Sequence, residues 1–495
     1  YATEAKLYNY PDWGGQNPSQ PVPEIAAALP TVSHHGGVWT YSIPIRSGYR
    51  FSPPSNQPVT AETMRFSVER ALSPKLEDGN APAENFLGVC SPGGNCPWQI
   101  IGQHAFVTGK SDHLSGLQVH GSTLVIETDA AVPDLVDRLA MPFFSAVPIG
   151  TPLSNLDLQA HPIPSAGPYY ISYQNTGWQT VLRRNPNYHG PRPHNLNAVV
   201  YEVGIDTGPA ANRVKAGTLD YESESYPDYG VLAPGGSIAT KFAAARQPAG
   251  KPWYTSTPSP GLDWLEMNTA RGLFASVKAR RAVDLAVNRP AIAALSGGLP
   301  ADQYLPASMM GNGAPAAPIQ PPSAADLARA RALLGNRHAT VTLWIGSYGL
   351  YQQYATEIRD DLARIGLRVV IRSIHGQYNQ YVPSTGGDMR VFGWQFDYWD
   401  PADLLSVVMF SNDPTLNPYG FHPARWQRAD TRAGRLTGPA RLTAFADVAR
   451  GAHALVPWVV LDQRGDPAFF SARLGCINFP PAYEGVDIAA LCMRH

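Results

Sequence analysis

The chain has 495 residues, 44% of them apolar and 16% charged, with a formal net charge of -1. That length points to two or three domains rather than one core. The composition excludes a disordered chain, and the balanced charge excludes a protein that holds nucleic acid by neutralising phosphates. No apolar run reaches the roughly 18 residues of a membrane span. The start at Tyr1 lacks the basic-then-apolar pattern of a signal peptide, so if the protein is exported its signal lies upstream.

In chain order, residues 37–52 (GVWTYSIPIRSGYRFS) alternate as a hairpin, with Trp39, Tyr41, Ile43 and Ile45 on one side. His34 and His35 precede Gly36-Gly37 and read as a solvated turn rather than a metal pair. Residues 58–74 predict a helix: Thr60 is a good N-cap, Glu62 sits in the first turn, Met64 and Val68 share a face, and Pro74 is the stop. Residues 117–127 read as two strands around His120-Gly121-Ser122, and 133–146 as a short helix and a loop. His104, His113 and His120 lack ligand spacing. Residues 164–203 predict three strands, and 209–221 a helix ended by Gly217 and followed by a strand.

Residues 262–268 predict a strand, and 277–292 one helix with Val277, Arg281, Leu285, Ala282 and Ala286 facing inward. Ser323 caps a helix over 323–334. Residues 341–346 (VTLWIG) read as a buried strand. Residues 351–366 form an amphipathic helix with Tyr354, Ile358, Leu362 and Ile365 on one stripe and Gly366 as its stop. A strand over 367–374 follows. This alternation implies an α/β lobe with partly parallel pairing. A last helix spans 439–456 and a last strand 457–463.

The four cysteines form two local pairs, Cys90 with Cys96 and Cys476 with Cys492, which suggests two disulfides and an oxidising compartment. A four-cysteine zinc site and free thiols are the competing readings; against zinc, no spacing is C-x-x-C.

Residues 393–405 (GWQFDYWDPADLL) carry the chemistry. They place Asp397 and Asp400 among Trp394, Phe396, Tyr398 and Trp399 at the end of an apolar strand. Asp400 before Pro401 reads as a turn residue capping the helix ADLLSVVMF. Asp397 is either a turn residue or a ligand group. A free carboxylate at an apolar wall is costly alone, and a cationic guest recovers much of that cost. A hydrolase using both acids is the rival from another class, but carboxylates at i and i+3 around a turn, one before proline, fit turn structure better. No H-E-x-x-H, G-x-S-x-G or Walker loop is present.

Five ordered blocks carry a resemblance across essentially the whole chain. VTAETMRFSVERALSPK (59–75) resembles T-A-x-D-V-x-F-S-x-E-R-A-x-D-P. SAGPYYISYQNTGWQTVLRRNPNYHGPRP (165–193) resembles G-T-G-P-Y followed by L-x-R-N-P-x-Y-W. VKAGTLDY (214–221) resembles L-x-x-G-E-I-D. LEMNTARGLFASVKARRAVDLAVNRPAI (265–292) is similar to N-x-x-x-P-P-F-x-D-x-R-V-R-Q-A-L-x-x-A-I-D-R. GWQFDYWDPADLL resembles G-W-x-A-D-Y-x-D-P-x-N-F-L, and ALVPWVVL (454–461) fits the final strand. The chain is thereby similar to the solute-binding proteins of peptide-type ABC importers (dipeptide, oligopeptide and nickel binders, family 5). It departs from the pattern at Ala166, where the family has Thr, and at His189, where it has Trp. TEAKLYNYPD (3–12) corresponds to a segment that follows the family's first strand, so that strand is expected to lie outside this chain.

The resemblance implies an α/β, two-lobed periplasmic-binding-protein-like fold (type II, large cluster C-like) with an inserted subdomain. Lobe I would hold 1–20, 147–260 and 460–495, the inserted subdomain 21–146 and lobe II 262–458. The chain would cross between lobes near 261–268 and 459–462, with ligand in the crevice. Position by position, Asp397 takes the family role of holding a peptide's α-amino group. Gly393 and Trp394 would offer a strand edge to an extended peptide, and Trp394, Tyr398 and Trp399 would form flat walls. Gln395 and Tyr348 join the expected ligand set, with Tyr351 and Gln352 next to them. The implied protein is a non-catalytic, monomeric receptor needing no cofactor or metal. It would sit in the periplasm or on the cell surface behind a lipoprotein anchor and deliver a peptide-like ligand to the membrane subunits of an ABC permease. Oligosaccharides, metal chelates or haem are the alternative ligands, and a ligand-presenting sensor the alternative role.

Overall fold

The computed structural model describes residues 1–495 except 12–18, 77–86, 88–97, 155, 224–230, 244–249, 307–308, 310–317, 336, 348, 375–385, 481, 483–484 and 495. Cys90, Cys96 and Tyr348 therefore lie outside the described residues.

The inserted subdomain is a four-stranded antiparallel sheet in the order Thr31–His35, Val38–Pro44, Thr123–Thr128, Leu117–His120. Alternation sends Tyr41 and Ile43 inward with Leu124 and Ile126. The hairpin partner of Val38–Pro44 precedes it rather than follows it. His34 and His35 end the first strand instead of lying in the turn, which Gly36 and Gly37 make at positive φ. His34 stacks on Trp39 at 4.6 Å. The helix Ala61–Ala71 starts at Thr60, which forms a reciprocal capping box with Thr63. It lays Met64, Val68 and Ala71 on the sheet.

Lobe I carries two three-stranded sheets. One runs Tyr169–Asn175, Gln179–Arg184, Ala198–Glu202; the other places Gly465–Phe470 between Tyr221–Ser223 and Trp253–Pro258. The edge strands Ala198–Glu202 and Tyr221–Ser223 line one groove of about 670 Å³. Strands also follow residue 463, contrary to the sequence expectation. Besides Gly465–Phe470 there is the pair Leu474–Gly475 and Cys492–Met493, clipped by the Cys476–Cys492 disulfide. That disulfide rules out zinc for this pair.

Lobe II is built on a six-stranded sheet in the order Leu299–Pro300, Trp458–Gln463, Gly261–Met267, Met389–Gln395, Ala339–Gly346, Leu367–Ile374. Ala339–Gly346 runs parallel to both its neighbours, and the other pairs are antiparallel. The helix Gly349–Ala363 makes the crossover. Gly261–Met267 is buried at every position, because its alternate side chains feed two cores. Leu265 and Met267 join Leu343 and Val391 on one face, while Leu262 and Trp264 join Phe392 and Val460 on the other. A sheet covered on both faces reads in sequence as a continuous apolar run.

The helix predicted over 277–292 is two helices, Val277–Ala286 and Arg289–Ser296, the second capped by Asn288 and begun with Pro290. Its inward face is also corrected. Ala282 and Ala286 are buried, but Val277 is exposed, and Arg281 and Leu285 are only half-buried. Arg280 points in instead, donating to the carbonyls of Phe274, Leu455 and Val456.

The chain passes between the lobes at 259–260 and at Arg464. Ser259 N–H donates to the Arg464 carbonyl at 2.7 Å, and Gln463 Nε2 donates to the Ser259 carbonyl at 2.9 Å. The expected crossing segments, 261–268 and 459–462, lie inside the lobe II sheet, one step beyond the crossing itself. Among the described residues, no helix is long and apolar enough to span a membrane.

Candidate functional site

The strand Met389–Gln395 delivers the aromatic–acid turn to the junction of two cores. Trp394, Trp399 and Val407 pack against the inserted subdomain's core and also against one core of lobe II. The turn therefore closes the seam between the two bodies.

Its three acids occupy three different environments. Asp400 is neutralised by Arg441, whose Nε and Nη2 reach its two oxygens at 2.9 and 2.7 Å, and Asp400 Oδ1 also accepts from Ala402 N–H at 2.8 Å. The bidentate pair and the turn bond make it structural. Asp403 is fully buried. Its Oδ2 accepts from Asp397 N–H at 2.9 Å and from Trp394 Nε1 at 3.2 Å, so it fixes both the backbone of Asp397 and the plane of Trp394. Asp397 is half-buried, and among the described residues no donor or cation reaches its carboxyl. Burial pushes the Asp397 carboxyl up to about 7, and burial together with Asp397 pushes Asp403 well above the carboxylate range. Of the three, only Asp397 combines exposure with an unanswered charge.

Around this turn lies a buried ionic network. Arg138 pairs with Asp134 at 2.7 Å, and Arg441 reaches the same Asp134 at 3.2 Å. Burial alone would raise Asp134, but the two guanidiniums hold its carboxyl below the usual range. Tyr10 Oη accepts from Trp399 N–H at 2.9 Å and donates to Asp137 at 3.0 Å. Burial, with Asp400 and Asp134 nearby, lifts Asp137 to about 8. These bonds run from the N-terminal segment and the Leu135–Leu139 helix to lobe II.

The other expected site residues divide. Trp394 is half-buried at the seam. Trp399 is half-buried and lines a cavity of about 400 Å³ with Pro258, Ser259, Leu299, Gln463 and Asp466, beside the crossing strands. Gln395 accepts from Ser259 Oγ at 2.7 Å, which ties it to the crossing. Gly393 faces Asp263 across the ladder, where a Cβ would stand 1.9 Å from Asp263 Oδ1; its requirement is this close approach. Along one edge Met389–Gln395 pairs with Gly261–Met267 over its whole length, and along the other it pairs with Ala339–Gly346 only at Met389 and Arg390. Tyr398 corrects the expectation of a third flat wall. It is fully buried in the inserted subdomain's core, with Arg138 4.9 Å from its ring centroid. Tyr351 is also buried, donating to Asp263 at 3.2 Å, and Gln352 bonds Ser373 at 3.1 Å.

Sequence reasoning missed Asp403, Arg441, Arg138 and Tyr10. A signal for Asp403 was present: it stands where the matching segment G-W-x-A-D-Y-x-D-P-x-N-F-L has Asn. The Arg441–Asp400 pair is 41 residues apart in the chain, and no local pattern announces it.

Over residues 20–415 the chain matches the sequence pattern described as bacterial extracellular solute-binding proteins, family 5 middle. A dipeptide-binding protein of Pseudomonas aeruginosa is 24% identical over 259 residues, 49% of this chain and 45% of that protein. Di/tripeptide-binding protein 1 of the same species is 23% identical over 310 residues, 57% of this chain and 52% of that one. The chain thus spans about half the length of the curated relatives it matches. Among solved structures, clavulanic acid biosynthesis oligopeptide binding protein 2 superposes with a TM-score of 0.79 at 19% identity, covering 100% of this chain and 90% of that one. DppA from Helicobacter pylori in complex with peptide STSA gives 0.73 at 17% identity, covering 99% and 92%. These structural likenesses show a shared two-lobed fold, and with the pattern match spanning most of its length, the chain belongs to the bacterial extracellular solute-binding proteins, family 5.

Proposed function

We propose that this protein is the extracytoplasmic receptor of an ABC importer, that it captures a peptide-like ligand at the seam between its lobes, and that Asp397 holds the ligand's terminal ammonium group. The observation that carries this is the Asp397 carboxyl, partly exposed at an apolar junction with no cation of the described protein to answer it. An ammonium group supplies the missing charge through charge-assisted hydrogen bonds, and water excluded by closure strengthens the pair. Trp394 and Trp399 give apolar faces that accept varied side chains. The relatives named for dipeptides and di/tripeptides support peptide as the ligand class.

In this reading the chain performs no chemical step. Lobe I comprises 1–20, 147–260 and 464–495, lobe II 261–463, and 21–146 is the inserted subdomain; the second junction falls later than the sequence expectation because Trp458–Gln463 is a strand of the six-stranded sheet. The protein works as a monomer in the periplasm or on the cell surface, tethered by a lipoprotein anchor. It presents its closed form to the permease, a population shift driven by the ligand's contacts with both lobes.

The test is calorimetric titration of short peptides into wild type and Asp397→Ala. Loss of a hydrogen bond to a charged group costs about 1.5–3 kcal/mol, so affinity for a free-amine peptide is expected to fall by about tenfold to a hundredfold. An N-acetylated peptide should bind both proteins equally weakly. Equal affinity of the two proteins for the free-amine peptide would remove the anchor.

A further inference from the structure

We propose that Asp403 makes the anchor a two-carboxyl site: without ligand, the Asp397–Asp403 pair holds one proton, on Asp403, and a captured ammonium group expels it. The inference rests on the reading of Asp397 as the ammonium anchor.

The geometry leaves few other ways to balance the charge. Asp403 is fully buried, and its Oδ2 is already an acceptor for two N–H groups, from Asp397 and Trp394. Its Oδ1 is buried without a hydrogen-bond partner among the described residues, so Oδ1 is the atom left to carry a proton. The cations nearby are committed elsewhere. Arg138 faces the pair from the Leu135–Leu139 helix but bonds Asp134 through Nε at 3.0 Å and Nη2 at 2.7 Å. Arg441, on the Gly438–His453 helix, is shared between Asp400 and Asp134. The remaining titratable groups on the turn are Tyr398, fully buried, and Asp400, already paired. Two carboxylates six residues apart, one fully buried and the other half-buried, linked by one backbone hydrogen bond, cannot both ionise cheaply. Proteins resolve such pairs by keeping one proton between them. The raised titration of both acids agrees with this.

The matching family segment has Asn at the position of Asp403, and an amide has no proton to release. Here the ligand's NH3⁺ replaces H⁺ as the neutralising charge: Asp403 goes from carboxylic acid to carboxylate, and the proton passes to solvent. Capture is therefore coupled to proton release.

Two measurements on wild type and Asp403→Asn test it. In the first, ligand-free protein with ¹³C-labelled aspartate carboxyls is titrated by NMR. Wild type should show a carboxyl still protonated at neutral pH whose signal is missing from Asp403→Asn, while the signal of buried Asp137 persists in both. No such difference in folded protein overturns the proton on Asp403, whatever the ligand. In the second, alanyl-alanine is titrated calorimetrically at pH 7 in two buffers of different ionisation enthalpy; its amine, with an ordinary pKa of about 8, is charged there. Wild type should release about one proton per peptide, and whatever binding Asp403→Asn retains should release none. Asp397-dependent binding with no buffer dependence overturns the proton coupling and leaves the anchor standing. Peptide binding that is absent, or indifferent to Asp397→Ala, removes the anchor and with it the coupled capture.

Discussion

Asp397, Asp400 and Asp403 show how little of a residue's role its type decides. The three acids lie within seven positions, yet one is cancelled by a bidentate arginine, one is sealed under two N–H donors, and one faces the seam with no donor or cation on its carboxyl among the described residues. The sequence allowed Asp400 to be read as structural because Asp-Pro has a local meaning. It allowed Asp397 to be singled out only through its place in a longer segment. Tyr398 was misread because burial is decided by the residues that fold over a side chain, here from the inserted subdomain some 250 positions earlier. Gly393 gives a sharp prediction at this scale. Its missing Cβ makes room for Asp263, which is fully buried, accepts from Tyr351 and is 3.2 Å from Arg464 Nε. Because that network cannot retreat into solvent, Gly393→Ala is expected to cost about 1–3 kcal/mol, the usual range for overpacking a filled site. Urea denaturation should show a lower midpoint at unchanged slope; a midpoint equal to wild type would mean that Asp263 shifts freely.

At the scale of elements, what the sequence announced were features set by near neighbours. Thr60 and Ser323 cap their helices through capping boxes, and the Tyr354, Ile358, Leu362, Ile365 stripe is buried as its period requires. What stayed hidden was set at a distance. The Val277–Ala286 helix turns Arg280 inward because carbonyls at 455–456 wait for it, and period alone cannot distinguish such an arginine from a solvated one. Strand order in the six-stranded sheet was equally invisible, since its central pair joins residues more than 120 positions apart. The C-terminal strands carry the second prediction. The Leu474–Gly475 and Cys492–Met493 pair is only two residues long on each side, too short to hold itself, and the Cys476–Cys492 bond ties it. Closing a loop with a sequence separation of 16 restricts the unfolded chain by about 3 kcal/mol in the loop-entropy account. The double variant Cys476→Ser with Cys492→Ser should lose stability of that order in chemical denaturation. It should also lose amide protection first at 474–475 and 492–493. Protection unchanged there would show that packing of Leu474 and Leu491 suffices without the bond.

For the whole molecule, the decisive property is that the two bodies are joined by buried acids rather than by apolar contact alone. Tyr10, Asp134, Asp137 and Arg138 from the N-terminal part meet Trp399, Asp400 and Arg441 from lobe II, and this seam has a consequence for pH. Asp137 and Asp430 are lifted by burial to about 8 and about 7, against about 3.9 for an unfolded aspartate. The folded protein therefore binds more protons than the unfolded chain between these limits, and stability must fall as pH rises through them. The contribution is fully present below about pH 4 and is lost by about pH 8, at up to about 1.4 kcal/mol per pH unit for each proton held. Asp134 acts in the opposite sense. Its carboxyl is held low by Arg138 and Arg441, so its contribution is present above the ordinary aspartate range and disappears as pH falls through its lowered value. Thermal unfolding followed from pH 9 downward should thus show a melting temperature that climbs toward pH 5 and drops again in stronger acid. Asp137→Asn should flatten the upper limb without moving the acid one, because it removes the titration while keeping a side chain that Tyr10 can still donate to. A melting temperature that rises from pH 5 to pH 9 in wild type would mean that the seam is held by ionised carboxylates throughout, and that Asp137 carries no proton in the folded protein.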